Sequence, residues 1–298
     1  MTSSKSVVVT GVSTGIGHAT TKVLVERGFR VFGSVRKRAD ADRLQREFGD
    51  NYVPLIMDIS DSDAVHQAAQ QVRSLIGDKN LVGLVNNAGI VVSGPLLYLR
   101  PSEYRRQLEV NMISPLVVIQ AFGPLLGTDK KRQGLIGRIV NISSTVANVA
   151  IPLIGAYSSS KAGLEGMSDA LRRELMLFGI DVVIIEPGTV NTAMYNKGEK
   201  EDLSEFKRTE YWEAVQNFQK FIVAEARNNG LSPERLGEAV HVALSTAKPK
   251  ARYAVVPQRF KNWTLPRLLP VRMLDAAIAK QMGLKSRSQA RTAGSHSS

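Results

Sequence analysis

The segment Thr10-Gly11-Val12-Ser13-Thr14-Gly15-Ile16-Gly17 constrains this chain more than any other. It follows the apolar run Val7-Val8-Val9 and leads into an amphipathic stretch from Ile16 to Arg27, so a strand passes through a glycine loop into a helix. Glycine adopts backbone conformations that L side chains resist, and its missing Cβ lets another group come close to the main chain. The N–H groups at the start of the following helix then face an anion, and the helix dipole adds to the attraction. The spacing, Gly-x-x-x-Gly-x-Gly, is one residue longer in its first gap than the usual dinucleotide fingerprint.

Short apolar runs alternate with longer amphipathic ones along most of the chain, which is the pattern of repeated βα units. Strands are expected at Ser6 to Thr10, Arg30 to Val35, Tyr52 to Met57, Gly83 to Asn86, Gly137 to Ile142, Asp181 to Glu186 and Arg252 to Val256. Helices are expected at Ile16 to Arg27, Ala39 to Phe48, Ser62 to Ile76, Glu103 to Leu125 and Ala156 to Gly179. The expected fold is α/β, a doubly wound parallel sheet of about seven strands with helices on both faces. Residues 1–284 are expected to form one domain and the polar residues 285–298 a disordered tail. Between Asn191 and Gly230 no strand-like run occurs, yet six of the eighteen aromatics gather there: Tyr195, Phe206, Tyr211, Trp212, Phe218 and Phe221. A helical insertion there, at about residues 191–230, sits at the carboxyl edge of the sheet, where open α/β sheets place ligands. A helix pair burying its own aromatics accounts for the composition equally well.

Composition excludes several chemistries. The chain has no cysteine, hence no disulfide, no thiolate catalysis and no cysteine-ligated metal. His18, His66, His241 and His296 are scattered without metal-ligand spacing, and no metal site is expected. The polar stretch Met1 to Ser6 leaves no room for a signal peptide, and the apolar stretch Val146 to Tyr157 is broken by Asn148, Pro152 and Gly155. A cytoplasmic protein without a transmembrane segment is expected. Of the formal net charge of +12, +10 lies between Ala247 and Ser298, where five lysines and six arginines stand against the single acid Asp275. A basic end of this kind serves solubility, an anionic membrane surface or nucleic acid. Nucleic acid is disfavoured, because no aromatic-interleaved basic face or docking motif accompanies the charge.

Further marks follow the glycine loop in order. Asn86-Asn87-Ala88-Gly89 closes the fourth strand, Asn111 stands in the long fourth helix, Ser143 and Ser144 end the fifth strand, and Tyr157-Ser158-Ser159-Ser160-Lys161 opens the fifth helix. Pro187-Gly188-Thr189-Val190-Asn191-Thr192 follows the sixth strand. Together with the glycine spacing, these resemble the short-chain dehydrogenase/reductase family over about residues 5 to 192, and more loosely beyond. The end of the chain, with Arg252-Tyr253, Leu268-Leu269-Pro270 and a helix carrying Val271, Leu274, Ile278 and Met282, looks like that of its retinol- and hydroxysteroid-dehydrogenase-like members. The resemblance implies a Rossmann-type fold, an NAD(P) cofactor and alcohol–carbonyl interconversion. It implies catalytic roles for Asn111, Ser144, Tyr157 and Lys161, with Asn111 holding a water for proton relay. It implies cofactor contacts from Gly11, Ser13, Thr14, Gly15, Ile16, Gly17, Asp58, Ile59, Asn87, Ala88, Gly89, Tyr157, Lys161, Pro187, Gly188, Val190 and Thr192. The end of the chain departs from members that end in a short Gly-containing strand and dock it in a tetramer, which argues against a tetramer, and a homodimer through the two long helices is an expected assembly.

The residue types suit these tasks. Tyr157 and Lys161 are four apart and share a helix face. A phenol with a reference pKa of about 10 is a poor base at neutral pH, but a nearby ammonium favours the phenolate. The phenol then takes a proton from an alcohol or gives one to a carbonyl oxygen, while the hydride passes directly between substrate carbon and cofactor. A serine hydroxyl steadies charge on the same oxygen. Strand alternation lets only one of the two serines face that site; Ser144 is the choice and Ser143 points elsewhere.

The second strand ends Gly33-Ser34-Val35 and continues Arg36-Lys37-Arg38, with no acid before Asp40. A guanidinium suits the 2′-phosphate of NADP, where an acid would suit the ribose of NAD, so Arg36 points to NADP(H) over NAD(H), with Lys37 or Arg38 in support. Thr14 pulls the other way, because many NADP-using relatives carry a basic residue there. The aromatic insertion suits a small apolar alcohol or carbonyl substrate of steroid, retinoid or lipid character. The basic amphipathic segment at about residues 259–284 is compatible with a peripheral membrane contact, although an ordinary packing helix is the favoured reading. A nucleotide-sensing binding protein with incidental turnover is the alternative from another class.

Overall fold

A computed structural model describes residues 5–192 and 201–284; Tyr195 and the tail 285–298 lie outside the described residues. Seven strands, β1 (Lys5–Val9), β2 (Phe29–Val35), β3 (Tyr52–Ile56), β4 (Gly83–Asn86), β5 (Arg138–Ile142), β6 (Asp181–Pro187) and β7 (Arg252–Val255), form one sheet in the order β3-β2-β1-β4-β5-β6-β7. Every pairing is parallel. The helices are α1 (Gly15–Glu26), α2 (Arg38–Phe48), α3 (Ser62–Ile76), α4 (Pro101–Leu108), α5 (Ser114–Gly123), α6 (Gly155–Glu174), α7 (Trp212–Asn229), α8 (Pro233–Ser245) and α9 (Val271–Met282). The sheet is the doubly wound one expected. Helix α8 is not among the expected helices, although Ser232-Pro233-Glu234 is a good helix start, with proline at the first position where no N–H is needed.

The strands read as nearly unbroken Val/Ile runs because both of their faces are covered. Alternation sends Val7, Val9, Val31 and Ile185 to one side, against Leu24, Leu44, Leu236 and Val240. Val8, Phe32, Leu84 and Ile139 go to the other, against Val65, Val72, Val118 and Phe122. A third, separate cluster joins Leu153, Leu203, Phe206, Val215, Phe218 and Met282. It ties the insertion to the start of α6 and to the C-terminal helix.

The expected single helix from Glu103 to Leu125 is a longer helical run, Pro101–Thr128, widened to π geometry over Glu109–Ile113 and Pro124–Thr128. The first widening has a covalent cause. Pro115 has no N–H for the carbonyl four residues back, so the ladder slips and the Ser114 N–H reaches Glu109 O instead. By length and composition Pro101–Thr128 would suit a membrane crossing. In the fold it buries Val118, Ile119 and Phe122 and packs against α3 and α6.

Charged groups fix the β6–β7 edge. Glu186 on β6 is fully buried, and Glu165 on α6 nearly so. Arg252 on β7 binds both, lying 3.2 Å from Glu186, and also binds Asp169 at 2.7 Å. Glu186 also accepts hydrogen bonds from Trp263 Nε1 at 2.7 Å and Arg267 Nη2 at 2.8 Å. Removing one partner of a buried pair leaves an uncompensated charge, which costs far more than the intact pair contributes. Arg252→Met is therefore expected to destabilise the fold by about 3–5 kcal/mol, measured by urea denaturation at pH 7. A loss below about 1 kcal/mol would show that these carboxylates do not depend on Arg252.

Candidate functional site

The sheet order reverses between β1 and β4, which opens a crevice at the carboxyl ends of these strands. The glycine loop leaves β1 on one side of it and Asn87-Ala88-Gly89 leaves β4 on the other. Thr10 locks the two together: its Oγ1 accepts from the N–H groups of Asn87 and Ala88, both at 3.0 Å. Asn87 Nδ2 in turn donates to Thr10 O at 2.9 Å and Gly11 O at 3.1 Å. Gly11 has φ +70°, and a Cβ there would lie 2.9 Å from Ala88. A Cβ on Gly17 would collide with Gly11 O and Asn87 Nδ2. Gly15, at φ +63°, begins α1 opposite Thr192.

This cradle fits the pyrophosphate of a dinucleotide. The first turn of α1 contains no acid, and Thr14 at its N-cap makes no side-chain capping bond. The first N–H groups of the helix, which need acceptors from outside it, are left to an anion. Ser13 lends its carbonyl to Arg43 Nη2 at 2.7 Å, and Ile16 packs into the sheet core. Arg43 was not among the expected site residues; only its position on α2 brings it back to the loop.

At the end of β2, Arg36 holds its guanidinium largely in solvent, 3.9 Å from Asp58. Burial alone would raise the Asp58 carboxyl, but hydrogen bonds from Ser60 N–H and O–H, with the Arg36 charge, hold it below the ordinary carboxylate range. Ile59 is buried beside it. Arg38 is engaged with Asp42 at 3.1 Å, whereas Lys37 occupies the N-cap of α2.

Deeper in the crevice, β5 and α6 bring the polar candidates together. Ser143 Oγ donates to Glu165 Oε1 at 2.7 Å, away from the crevice. Ser144, extended and half-buried, has its Oγ near Val146 N at 3.4 Å. Lys161 is buried, donates to Ile142 O at 2.8 Å and lies 5.7 Å from the centroid of the Tyr157 ring. Burial lowers its ammonium pKa to about 8, against a smaller upward pull from Glu165. Asn111, in the first π segment, accepts from Ile90 N at 2.9 Å, returns a bond to Ile90 O at 3.0 Å and reaches Ser160 Oγ at 3.2 Å. Gln107, one turn earlier and fully buried, binds Val92 N at 2.7 Å and Ile90 O at 2.9 Å. Two amides on one helix thus clamp the loop after β4. The reading of the sequence missed Gln107, although its i, i+4 spacing to Asn111 places the two on one face.

The loop after β6 closes the crevice. Gly188 N–H bonds Val255 O at 3.0 Å, Val190 is buried, and Leu231 N–H bonds Thr189 O at 2.9 Å. Pro187 is the last residue of β6. Above Tyr157 the third apolar cluster begins at Leu153, whose φ of +71° is unusual for a residue with a branched side chain. Its carbonyl takes a hydrogen bond from Gly94 N–H at 2.6 Å, and Ser93 Oγ reaches Glu201 at 2.6 Å across the insertion.

A profile of short chain dehydrogenase matches residues 5–203. The chain is 38% identical over 275 residues to an NADPH-dependent 3-dehydrocapnine reductase of Ornithobacterium rhinotracheale, covering 92% of this chain and 96% of that one. It is 31% identical to retinol dehydrogenase 5 of Mus musculus, over 91% of this chain and 86% of the other. Its fold superposes on the crystal structure of a short chain dehydrogenase from Burkholderia cenocepacia J2315 in complex with NADP, with a TM-score of 0.69, 25% identity and coverage of 92% and 97%. A crevice of this construction, with matches that span the chain, places the protein in the short-chain dehydrogenase/reductase family of NAD(P)-dependent oxidoreductases, in its retinol- and hydroxysteroid-dehydrogenase-like branch.

Proposed function

We propose that the protein is an NADP(H)-dependent reductase that converts a ketone or aldehyde on an apolar, lipid-like substrate into the alcohol. The observation that carries this reading is the buried ammonium of Lys161 placed 5.7 Å from the Tyr157 ring. When bound, NADPH supplies the hydride that reaches the carbonyl carbon. Tyr157 gives its phenolic proton to the oxygen, and the Lys161 charge stabilises the phenolate left behind. Ser144 donates a hydrogen bond to the same oxygen and orients it. Asn111 holds the relay water, its main-chain carbonyl having lost its α-helical donor to Pro115.

Gly11, Ser13, Thr14, Gly15, Ile16 and Gly17 would hold the cofactor's pyrophosphate, Asp58 and Ile59 its adenine, and Asn87, Ala88, Gly89, Pro187, Gly188, Val190 and Thr192 the nicotinamide half. Arg36 would take the 2′-phosphate. NADPH is favoured by the exposed Arg36 guanidinium, by the NADPH-dependent relative and by the neighbour bound to NADP. We read residues 1–284 as one domain with a lid at about 191–230, and the apolar and aromatic content of that segment supports an apolar substrate. The reading includes a cytoplasmic location and a homodimer through the long helices, where Ile113 and Leu116 are exposed.

The test is NADPH oxidation against a panel of long-chain, retinoid and steroid ketones and aldehydes, with NADPH binding followed by fluorescence. Tight binding without turnover on any of them would favour a nucleotide sensor. Tyr157→Phe is expected to lower kcat by at least about 1,000-fold with the NADPH Kd within about threefold of wild type, since it removes one proton and little else; persistent turnover would mean another proton donor. The Lys161 charge is present below about pH 8 and lost as pH rises through it. Reductive kcat/KM is accordingly expected to fall above about pH 8, and a profile flat to pH 10 would remove Lys161 from the mechanism. Arg36→Asp is expected to shift the NADPH/NADH preference toward NADH by about tenfold or more; an unchanged ratio would place the phosphate elsewhere.

A further inference from the structure

The glycine loop is held by its neighbouring strand and helix at three consecutive residues. Gly11 N–H donates to Ser34 Oγ at 2.9 Å and Val12 N–H to Ser34 O at 3.0 Å, both at the end of β2. Beyond them the hold passes to a charged group, since Arg43 on α2 donates from Nη2 to Ser13 O at 2.7 Å. That guanidinium is itself fixed from both sides along its helix: Nη2 lies 3.4 Å from Asp40 and Nη1 3.5 Å from Glu47, one turn before and one turn after. Glu47 also meets His18 Nε2 on α1 at 2.8 Å, so the loop, α1 and α2 are joined through Arg43.

A peptide group is planar and trans, so its C=O and its N–H point to opposite sides. Holding Ser13 O against α2 therefore turns the Thr14 N–H away from α2. Thr14 is extended, at the N-cap of α1, and its N–H donates to no main-chain acceptor among the described residues. With this peptide reversed, a carbonyl oxygen would stand where the N–H stands and would repel a phosphate. Gly15, at φ +63°, follows directly, and a glycine there leaves the loop free to take other paths unless something fixes it.

We infer that Arg43 is a positioning residue of the cofactor site, which keeps the N–H side of the Ser13–Thr14 peptide toward the dinucleotide. The inference rests on the reading of the glycine loop as the pyrophosphate cradle. It gives Arg43 a role unlike that of Arg36. The Arg36 guanidinium is largely in solvent, 3.9 Å from Asp58, and would meet the phosphate that only NADPH carries. Arg43 is engaged by two carboxylates and a carbonyl, so its charge is already matched, and it acts on the part that both dinucleotides share. The arginine fork matters, because one Nη serves Ser13 and Asp40 while the other faces Glu47. The single ammonium of a lysine reproduces that arrangement only in part.

The test is fluorescence titration of the full-length protein with NADPH and with NADH, alongside the melting temperature of the protein without cofactor. Arg43→Met is expected to weaken both dinucleotides by about tenfold, with the ratio of the two Kd values within about twofold of wild type. Arg43→Lys is expected to recover part of the loss. The melting temperature without cofactor is expected to fall by no more than about 3 °C, because the ion pairs of Arg43 are partly exposed. A purely structural role would lower the melting temperature and leave both Kd values in place, and that result overturns the proposal. So does a loss confined to NADPH, which would make Arg43 a direct ligand of the 2′-phosphate. If Arg43→Met does not fold, Arg43→Gln is read by the same criteria. Wild-type protein that binds neither dinucleotide removes the cradle reading itself, whereas wild-type binding that Arg43→Met leaves intact removes only the role of Arg43.

Discussion

The stripe of residues along one face of α6 is the constraint on which most of this structure turns. Tyr157, Lys161, Glu165 and Asp169 recur every four residues and so stack one above another on the helix. The top of the stripe faces the crevice and the bottom faces the β6–β7 edge. A buried ammonium is costly to keep charged, and burial accordingly lowers the Lys161 pKa. Glu165 offsets part of it and would be a liability itself without Arg252. Arg252 in turn satisfies Glu186, onto which Trp263 and Arg267 fasten the chain's end. One electrostatic chain thus runs from the candidate chemistry to the C-terminal segment.

The crevice rests on a second device, the exchange of hydrogen bonds between two loops. Thr10 and Asn87 satisfy each other's neighbours, and the glycines allow the loops to come close enough for this. Gln107 and Asn111 do the same for the next stretch of the β4 loop. Main-chain groups of Asn87, Ala88, Ile90 and Val92 beside the crevice are therefore held by side chains rather than by the ladder of a strand or helix. Such a site is set before any ligand arrives, which reduces the ordering that binding must impose.

Strain and irregularity gather at the same place. The π segment around Asn111 and the left-handed Leu153 both border the crevice. An αL residue with a side chain costs roughly 1–2 kcal/mol, and packing of Leu153 into the third cluster holds it there. That cluster is separate from the two sheet cores.

The sequence by itself determined the sheet and the residue types at its carboxyl edge. Val/Ile runs with period-two burial on both faces, separated by amphipathic stretches, admit little other than a doubly wound sheet. The glycine loop, Asn87, Tyr157 and Lys161 were legible because each motif is local: a few residues joined by one turn or one helix repeat. Tertiary structure decided what no local pattern encodes. Arg43 reaches Ser13 across thirty residues, Arg252 gathers Glu165, Asp169 and Glu186 from two elements, and Gln107 finds Val92. The helix break at Asn111 needed Pro115 to be read as a ladder fault rather than as part of an even helix. The division between the packed face of α9 and the exposed apolar residues before it also came only from the fold, because a sequence shows which side chains are apolar and only packing shows which remain in water.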